Sequence, residues 1–343
     1  NEELNALCAK WRDLPMLALD TEFIRVDTFY PKLGLLQVCD GSASYLLDPL
    51  SLTDWQAFTA ILSSHSVTKV LHSCSEDLVV FAELFHQVPY PLFDTQKAAA
   101  FLGLGYSVSY QNLVKEILDI EVEKGETRSD WLRRPLSREQ VTYAALDVAY
   151  LPRIKTILQE RLEAAGRLTW FEAECHDMVT LASGNIQHSD WHDAYLGMGA
   201  AWRLEEAQLG ALQRLCQWRE SEARRRNKPR SWIAKDTDLM ALAQTMPASR
   251  ADLQGIKDLS RHLLQYDSDT LLAIVARAHS GPALRPDLVE QPLTPEMRKQ
   301  LKTCQEIVRN KAEALGVAPE MLARKKQLIP LINGLKAQDP AWP

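Results

Sequence analysis

The chain has 343 residues, 46% hydrophobic and 24% charged, with 39 Lys and Arg against 45 Asp and Glu and a formal charge of −6. That is the composition of globular protein, which excludes disorder as a description of the whole, and no run approaches the ~18 apolar residues of a membrane span. At roughly 150 residues per domain, the length suits two or three domains.

The first residue is Asn1 rather than Met, and no basic stretch leads into an apolar one. The chain is therefore expected to be trimmed at its start and not secreted. Apolar runs at Met16–Asp20, Leu35–Asp40, Ser44–Asp48 and Thr68–His72 read as strands, with Gly41-Ser42 as a hairpin turn between the second and third. Helical patterns occupy 53–63, 75–87, 95–102, 109–118 and 137–164. Thr53 or Ser51 can cap the first. Ser73 or Ser75 can cap the second, whose first turn holds Glu76 and Asp77, where the helix dipole favours anions. Hairpin-like strands followed by strand–helix alternation indicate a mixed sheet with helices packed on it.

After about residue 200 the strand signals stop. Gln208–Arg226 reads as a helix, followed by short helical patterns at 237–245, 249–256 and 269–278. Pro282, Pro286, Pro292 and Pro295 mark an extended linker. Helical patterns resume at 296–315 and 319–333, broken at Gly316. Charge divides along the chain as well: residues 201–343 hold 23 basic against 17 acidic side chains, a net of +6, which leaves −12 on residues 1–200. A basic half suggests an anionic partner, and an acidic half can contain a carboxylate site for cations. The six cysteines lie far apart with no C-x-x-C pair, so neither a zinc site nor a disulfide framework is expected. Reduced thiols in a cytoplasmic protein are.

Three groups of residues carry possible chemistry. Asp20 and Glu22 stand two apart on a strand, hence on one face, roughly 7 Å apart at the backbone. Two acids so placed repel unless a cation lies between them, and hard divalent ions prefer oxygen ligands. A solvated strand end gives the same Asp-x-Glu pattern. Asp77 opens a helix after an apolar strand, which dipole complementation alone would explain. Tyr143 and Asp147 are one helical turn apart, beside the small Ala144 and Ala145 that allow close approach to a sheet.

The order of these groups resembles the DEDD superfamily of 3′→5′ exonucleases, in its Tyr-containing branch. The flanking words LALDTEF, YPKLGLLQV, HSCSEDLVVF, FDTQKAAAF and RPLSREQVTYAALDVAYL resemble the ribonuclease D family. The stretch LCQWRESEARRRNKPRSWIAKDTDLMALAQTMPASRADLQGI resembles an HRDC domain, and RKQLKTCQEIVRNKAEALGVAPEMLARKKQLIPLI resembles a second, more divergent one. The resemblance covers nearly the whole chain, although the family's short strand before the first helix is lacking and the second HRDC-like stretch ends soon after Asn333. It implies an α/β, ribonuclease H-like exonuclease domain with a mixed sheet flanked by helices over 1–195, followed by two small all-α domains. These are an HRDC domain over 205–281 and an HRDC-like domain over 296–343, joined by a Pro-rich linker over 282–295.

The resemblance further implies a metal-dependent 3′→5′ exoribonuclease that releases nucleoside 5′-monophosphates, with tRNA precursors as the expected substrate. It implies Asp20, Glu22, Asp77 and Asp147 as ligands of two divalent ions, Mg²⁺ or Mn²⁺, and Tyr143 as the group that orients the attacking water. With an ordinary pKa near 10, a phenol suits that role better than the role of a full base. Phe23 is a candidate to stack on the terminal base, and Gln37 and His72 to contact the RNA backbone or ligated water. The basic run Arg224, Arg225, Arg226, Lys228 and Arg230 is a candidate RNA contact. Asp94 is read as a helix cap, not a fifth ligand. His188 and His192 have zinc-compatible spacing but lack the Glu of H-E-x-x-H, so an inter-domain segment is expected there. Gly103-Leu104-Gly105 lacks a dinucleotide-binding context, and no Gly-Lys-Ser/Thr of a P-loop occurs. Two alternatives stay open: a DNA-directed 3′→5′ exonuclease, and a catalytically silent RNA-binding adaptor.

Overall fold

The computed structural model describes all residues except 124, 126–128, 188–190, 279–283 and 338–343. The chain forms two compact units, one of residues 1–24, 32–187 and 293–343 and the other of 25–31 and 188–292.

The first unit begins with α1 (Glu2–Trp11), which buries Leu4, Cys8 and Trp11 at helical spacing. The strands are β1 (Met16–Ile24), β2 (Lys32–Cys39), β3 (Ser44–Leu47), β4 (Thr68–Leu71) and β5 (Leu92–Asp94). They lie in the order β3-β2-β1-β4-β5. The first three are mutually antiparallel, and β4 and β5 run parallel to β1. Asp40 closes the β2–β3 hairpin by accepting from the amides of Ser42 and Ala43 at 2.8 and 2.9 Å, around Gly41 at φ +90°. The helices of this part are α2 (Gln56–Leu62), α3 (Ser75–Phe85), α4 (Thr95–Phe101), α5 (Tyr110–Leu118), α6 (Arg138–Ala149), α7 (Leu151–Ala164) and α8 (Leu168–Gln187). The run expected as one helix over 137–164 breaks at Tyr150, where Pro152 sits in the first turn of α7 as its missing N–H allows. The sheet packs a continuous core around Leu17, Leu19, Leu36, Val38, Val70 and Leu71.

Lys69 on β4 is wholly buried, yet satisfied. Its Nζ donates to the carbonyls of Ile61, Ser64 and Val67 at 3.2, 2.8 and 2.6 Å and to that of Tyr90. Burial pushes its pKa down to about 7.

The second unit holds α9 (Glu206–Arg226), α10 (Arg230–Ile233), α11 (Asp236–Thr245), α12 (Arg250–Gly255) and α13 (Ser268–Ala276). Its core gathers Leu209, Leu212, Leu215 and Cys216 of α9 with Leu239, Leu242 and Leu271. Then come α14 (Pro295–Leu315), α15 (Pro319–Leu322) and α16 (Lys325–Ala337), which belong to the first unit. The division by compactness thus differs from the sequence division in three places. The helices from 293 onward pack with the sheet-bearing part rather than standing alone, residues 191–195 join the helical unit, and so does the 25–31 segment. All six cysteines are free, five of them buried. Among the described residues no helix is long and apolar enough to cross a membrane.

Candidate active site

The strand β1 pairs with β4 only from Met16 to Ala18, whereas its pairing with β2 continues to Ile24. Beyond Ala18 the β4 side of β1 leaves the ladder, which opens room beside Asp20 and Glu22. These two project from one face, opposite Gln37 and Leu35, and a bulge between Glu22 and Phe23 ends the alternation.

A sharp turn sets the third acid. Ser73, at φ +57°, turns β4 into α3, and the Ser73 and Cys74 amides donate to the Asp94 carboxylate at 3.3 and 2.9 Å. Asp77 then falls in the first turn of α3, 7% exposed, and accepts from the Thr21 hydroxyl. Asp94 also accepts from Gln96 and Lys97 at 2.8 and 3.1 Å, so it caps α4 as expected.

The helix α6 supplies the rest. It starts in a capping box in which Ser137 and Gln140 satisfy each other's amides at 3.2 and 2.9 Å. The turn that carries Asp147 is fastened from two sides. Ser44 Oγ donates to the Ala145 carbonyl at 3.0 Å, and Tyr110 Oη donates to that of Leu146 at 2.7 Å. Tyr143, one turn earlier on the same helix, lies close enough to Asp147 for its hydroxyl to pull the carboxyl pKa down.

These elements bring ligand oxygens of Asp20, Glu22 and Asp147 within 4.8 Å of one another. Asp77 lies outside that triad but is near enough for its charge to raise Asp20 and Glu22. Burial raises every member. Asp20 is pushed well above the carboxylate range by burial and then by Asp77, Asp147 and Glu22. Glu22 is pushed to about 8 by burial, Asp147 and Asp77. Burial takes Asp147 to about 7 and Asp77 to about 6, against the opposing bonds from Tyr143 and Thr21. Tyr143 is itself raised by burial and by Asp147, so it stays protonated at neutral pH. Clustered, half-desolvated carboxylates with all-oxygen donors fit hard divalent cations, which relieve the mutual repulsion.

The remaining candidates fare differently. Phe23 packs against the main core. Gln37 is fully buried opposite Asp20, and its amide finds no hydrogen-bond partner among the described residues. His72 has both ring nitrogens engaged, Nδ1 with Thr95 Oγ1 at 2.9 Å and Nε2 with the Val108 carbonyl at 3.1 Å, and burial lowers its pKa. Both nitrogens of His72 are thus engaged within the fold.

The basic run is also engaged within its own unit. Arg224 pairs with Glu220 and stacks 3.4 Å from the Trp191 ring centre and 4.4 Å from that of Phe29. Arg225 pairs with Glu222 at 2.6 Å, Arg226 with Glu222 and Asp267 at 2.6 and 2.7 Å, and Arg230 with Glu220. Lys228 lies 5.3 Å from the Trp232 ring centre. His188 lies outside the described residues. Sequence reasoning missed Thr21, which strand alternation assigns to the other face, and Trp131, whose ring lies 6.1 Å from that of Tyr143.

A mixed sheet whose first strand carries two acids, joined by acids from two helices and a tyrosine beside the last, is the arrangement expected of a carboxylate-dependent 3′→5′ exonuclease. The 3′-5′ exonuclease family model matches residues 1–163, and the HRDC domain model matches 208–275. The ribonuclease D of Pseudomonas paraeruginosa is 45% identical over 327 residues, covering 95% of this chain and 86% of its own. That of Escherichia coli is 38% identical over 339 residues, covering 97% and 88%. The crystal structure of Escherichia coli RNase D, described as an exoribonuclease involved in structured RNA processing, superposes with a TM-score of 0.86 at 37% identity. It covers 100% of this chain and 91% of that one. The chain belongs to the ribonuclease D family and is a 3′→5′ exoribonuclease.

Proposed function

We infer that Asp20, Glu22, Asp77 and Asp147 hold two divalent ions, Mg²⁺ or Mn²⁺, and that the enzyme trims RNA 3′ ends to nucleoside 5′-monophosphates. The observation that carries this reading is the triad of Asp20, Glu22 and Asp147 oxygens within 4.8 Å. Bound ions of this kind stabilise charge on the attacking and leaving oxygens and lower the pKa of water. The protein's own groups do the rest. The four carboxylates fix position, and the Asp77–Thr21 bond keeps one acid oriented. Tyr143, protonated and beside Asp147, orients the attacking water by a hydrogen bond and takes up no proton. Precursors of tRNA suit a family member whose Escherichia coli relative processes structured RNA. The buried free thiols suit a reducing, cytoplasmic setting.

The test is digestion of 3′-labelled and 5′-labelled RNA with Mg²⁺, with Mn²⁺ and with chelator. Labelled mononucleotide should appear at once from the 3′ label and last from the 5′ label, and only with metal. Matched DNA cleaved faster than RNA would favour a DNA exonuclease. Asp147→Ala should lower the rate by at least ~10²-fold, as loss of a group acting at the transition state does. Cleavage surviving in a folded variant would sink the assignment.

A further inference from the structure

The helical unit contains a cavity that the carboxylate chemistry does not use. It measures about 660 Å³, room for a nucleotide, and is lined by Arg25, Arg219, Arg230, Lys235, Asp236 and Thr237 among others. Four lining residues are cationic. Asp236, the one acid in the lining, is taken by Arg219 at 2.6 Å. Arg219 is 7% exposed, and its Nε has no hydrogen-bond partner among the described residues.

Two further features point outward to a ligand. Arg25 spends its Nε on the Phe29 carbonyl at 2.8 Å, and neither Arg25 nor Lys235 forms an ion pair among the described residues. The helix α11 begins at this wall, so the amides of Asp236 and Thr237 have no carbonyl partner within the helix and form the positive end of its dipole. Guanidinium forks, an ammonium and helix-opening amides together match the oxygens of a phosphate. Next to lining residue Ser231, Trp232 is 56% exposed, a flat surface on which a base can stack. Arg25 and Thr28 belong to the chain segment that directly follows the strand bearing Asp20 and Glu22.

We propose that this cavity is an RNA backbone site that holds a phosphate with Arg25, Lys235 and the α11 amides, with Trp232 stacking the attached base. The proposal rests on RNA being the substrate, as argued above. It differs from the basic-run expectation, because Arg224, Arg225 and Arg226 are consumed by internal pairs while Lys235 is not.

The test is fluorescence anisotropy of the full chain with an unstructured, 5′-labelled RNA over a range of salt, in chelator so that nothing is cleaved. One lost phosphate contact on a single strand should shallow the slope of log affinity against log salt by ~0.7. Lys235→Gln is therefore expected to weaken binding ~3- to 10-fold at low salt and to shallow the slope by that amount. Trp232→Ala should weaken binding at every salt with the slope unchanged, since stacking releases no counterion. Lys302→Gln, on the exposed face of α14, is the control for bulk charge. An unchanged slope in Lys235→Gln, or an equal change in Lys302→Gln, overturns the proposal. Inorganic phosphate that quenches Trp232 equally in the presence and absence of RNA would mean a small-anion site, and polyglutamate competing as well as RNA would mean an acidic protein partner. Either outcome also overturns it. Because binding is read without metal, failure of nuclease activity and failure of this site are told apart.

Discussion

At Glu22 the electrostatics of the site become a measurable stability. Its pKa is held at about 8, chiefly by burial, against 4.5 in an unfolded chain, and Asp147 and Asp77 are held at about 7 and 6. A raised folded pKa means that the folded state binds the proton more tightly. The associated stability is present below pH ~4 and is lost as pH rises through ~6 to 8. Metal-free protein should therefore be less stable at pH 8 than these groups allow at pH 5. Glu22→Gln, which keeps a neutral side chain, should raise the melting temperature in chelator at pH 8 and leave it nearly unchanged at pH 5. Divalent ion should raise the wild-type value at pH 8 and do so less in the variant. Equal effects of Glu22→Gln at both pH values would show that Glu22 is not ionised under strain. The pairing of Asp20 with Glu22 was legible from strand alternation alone. Thr21 was not, since its bond to Asp77 depends on where β4 leaves the ladder.

Among elements, the loop between α5 and α6 carries the support of Tyr143. Arg134 spends its guanidinium on Asp48 at 2.6 and 2.8 Å and on the carbonyls of Gly34, Trp131 and Arg133 at 2.7 to 2.9 Å. Trp131 is thereby held 2% exposed, against Leu35, Ala144 and Tyr143. Gly34 permits this approach, for a Cβ there would stand 2.7 Å from both Cβ and the carbonyl oxygen of Trp131. Backbone cannot yield as a flexible side chain would, so Gly34→Ala should cost ~1–3 kcal/mol. Urea unfolding of the two proteins measures it. If the displacement reaches the reaction through Tyr143, Gly34→Ala should lower kcat, and add little to the loss already caused by Tyr143→Phe. Full additivity in the double variant would remove Tyr143 from that path. The helix α9 teaches a related lesson about legibility. Glu220 and Glu222, one turn before Arg224 and Arg226, are visible in sequence as i,i+4 pairs. Asp267 and Phe29 are not, because only the fold brings them there.

On the scale of the whole molecule, the charge division along the chain does not survive folding. Residues 25–31 and 188–292 together hold 15 basic and 15 acidic side chains, so the helical unit is neutral. Of the +6 on residues 201–343, +4 comes from 293–343, which pack with the acidic exonuclease part. The sequence showed those last helices clearly, but not their place, because the contacts that set it span well over a hundred residues. Arg167 donates to the carbonyls of Phe101 and Gly316 at 2.7 and 2.9 Å and to that of Leu315, and the Ala318 amide donates to Ala100 at 2.8 Å. Gly103 lies so close that a Cβ would stand 2.7 Å from the Gly316 oxygen. Hydrogen bonds from a charged donor contribute ~1.5–3 kcal/mol each, and orphaning such a donor costs its desolvation. A chain ending at residue 292 should therefore melt below the full chain, and Arg167→Ala should lower the full chain's melting temperature by several degrees while lowering that of the shortened chain, which keeps only the Phe101 bond, by less. An equal loss in both lengths would mean that Arg167 stabilises the exonuclease part without its C-terminal helices, and the long-range hydrogen bonds would then contribute nothing of their own.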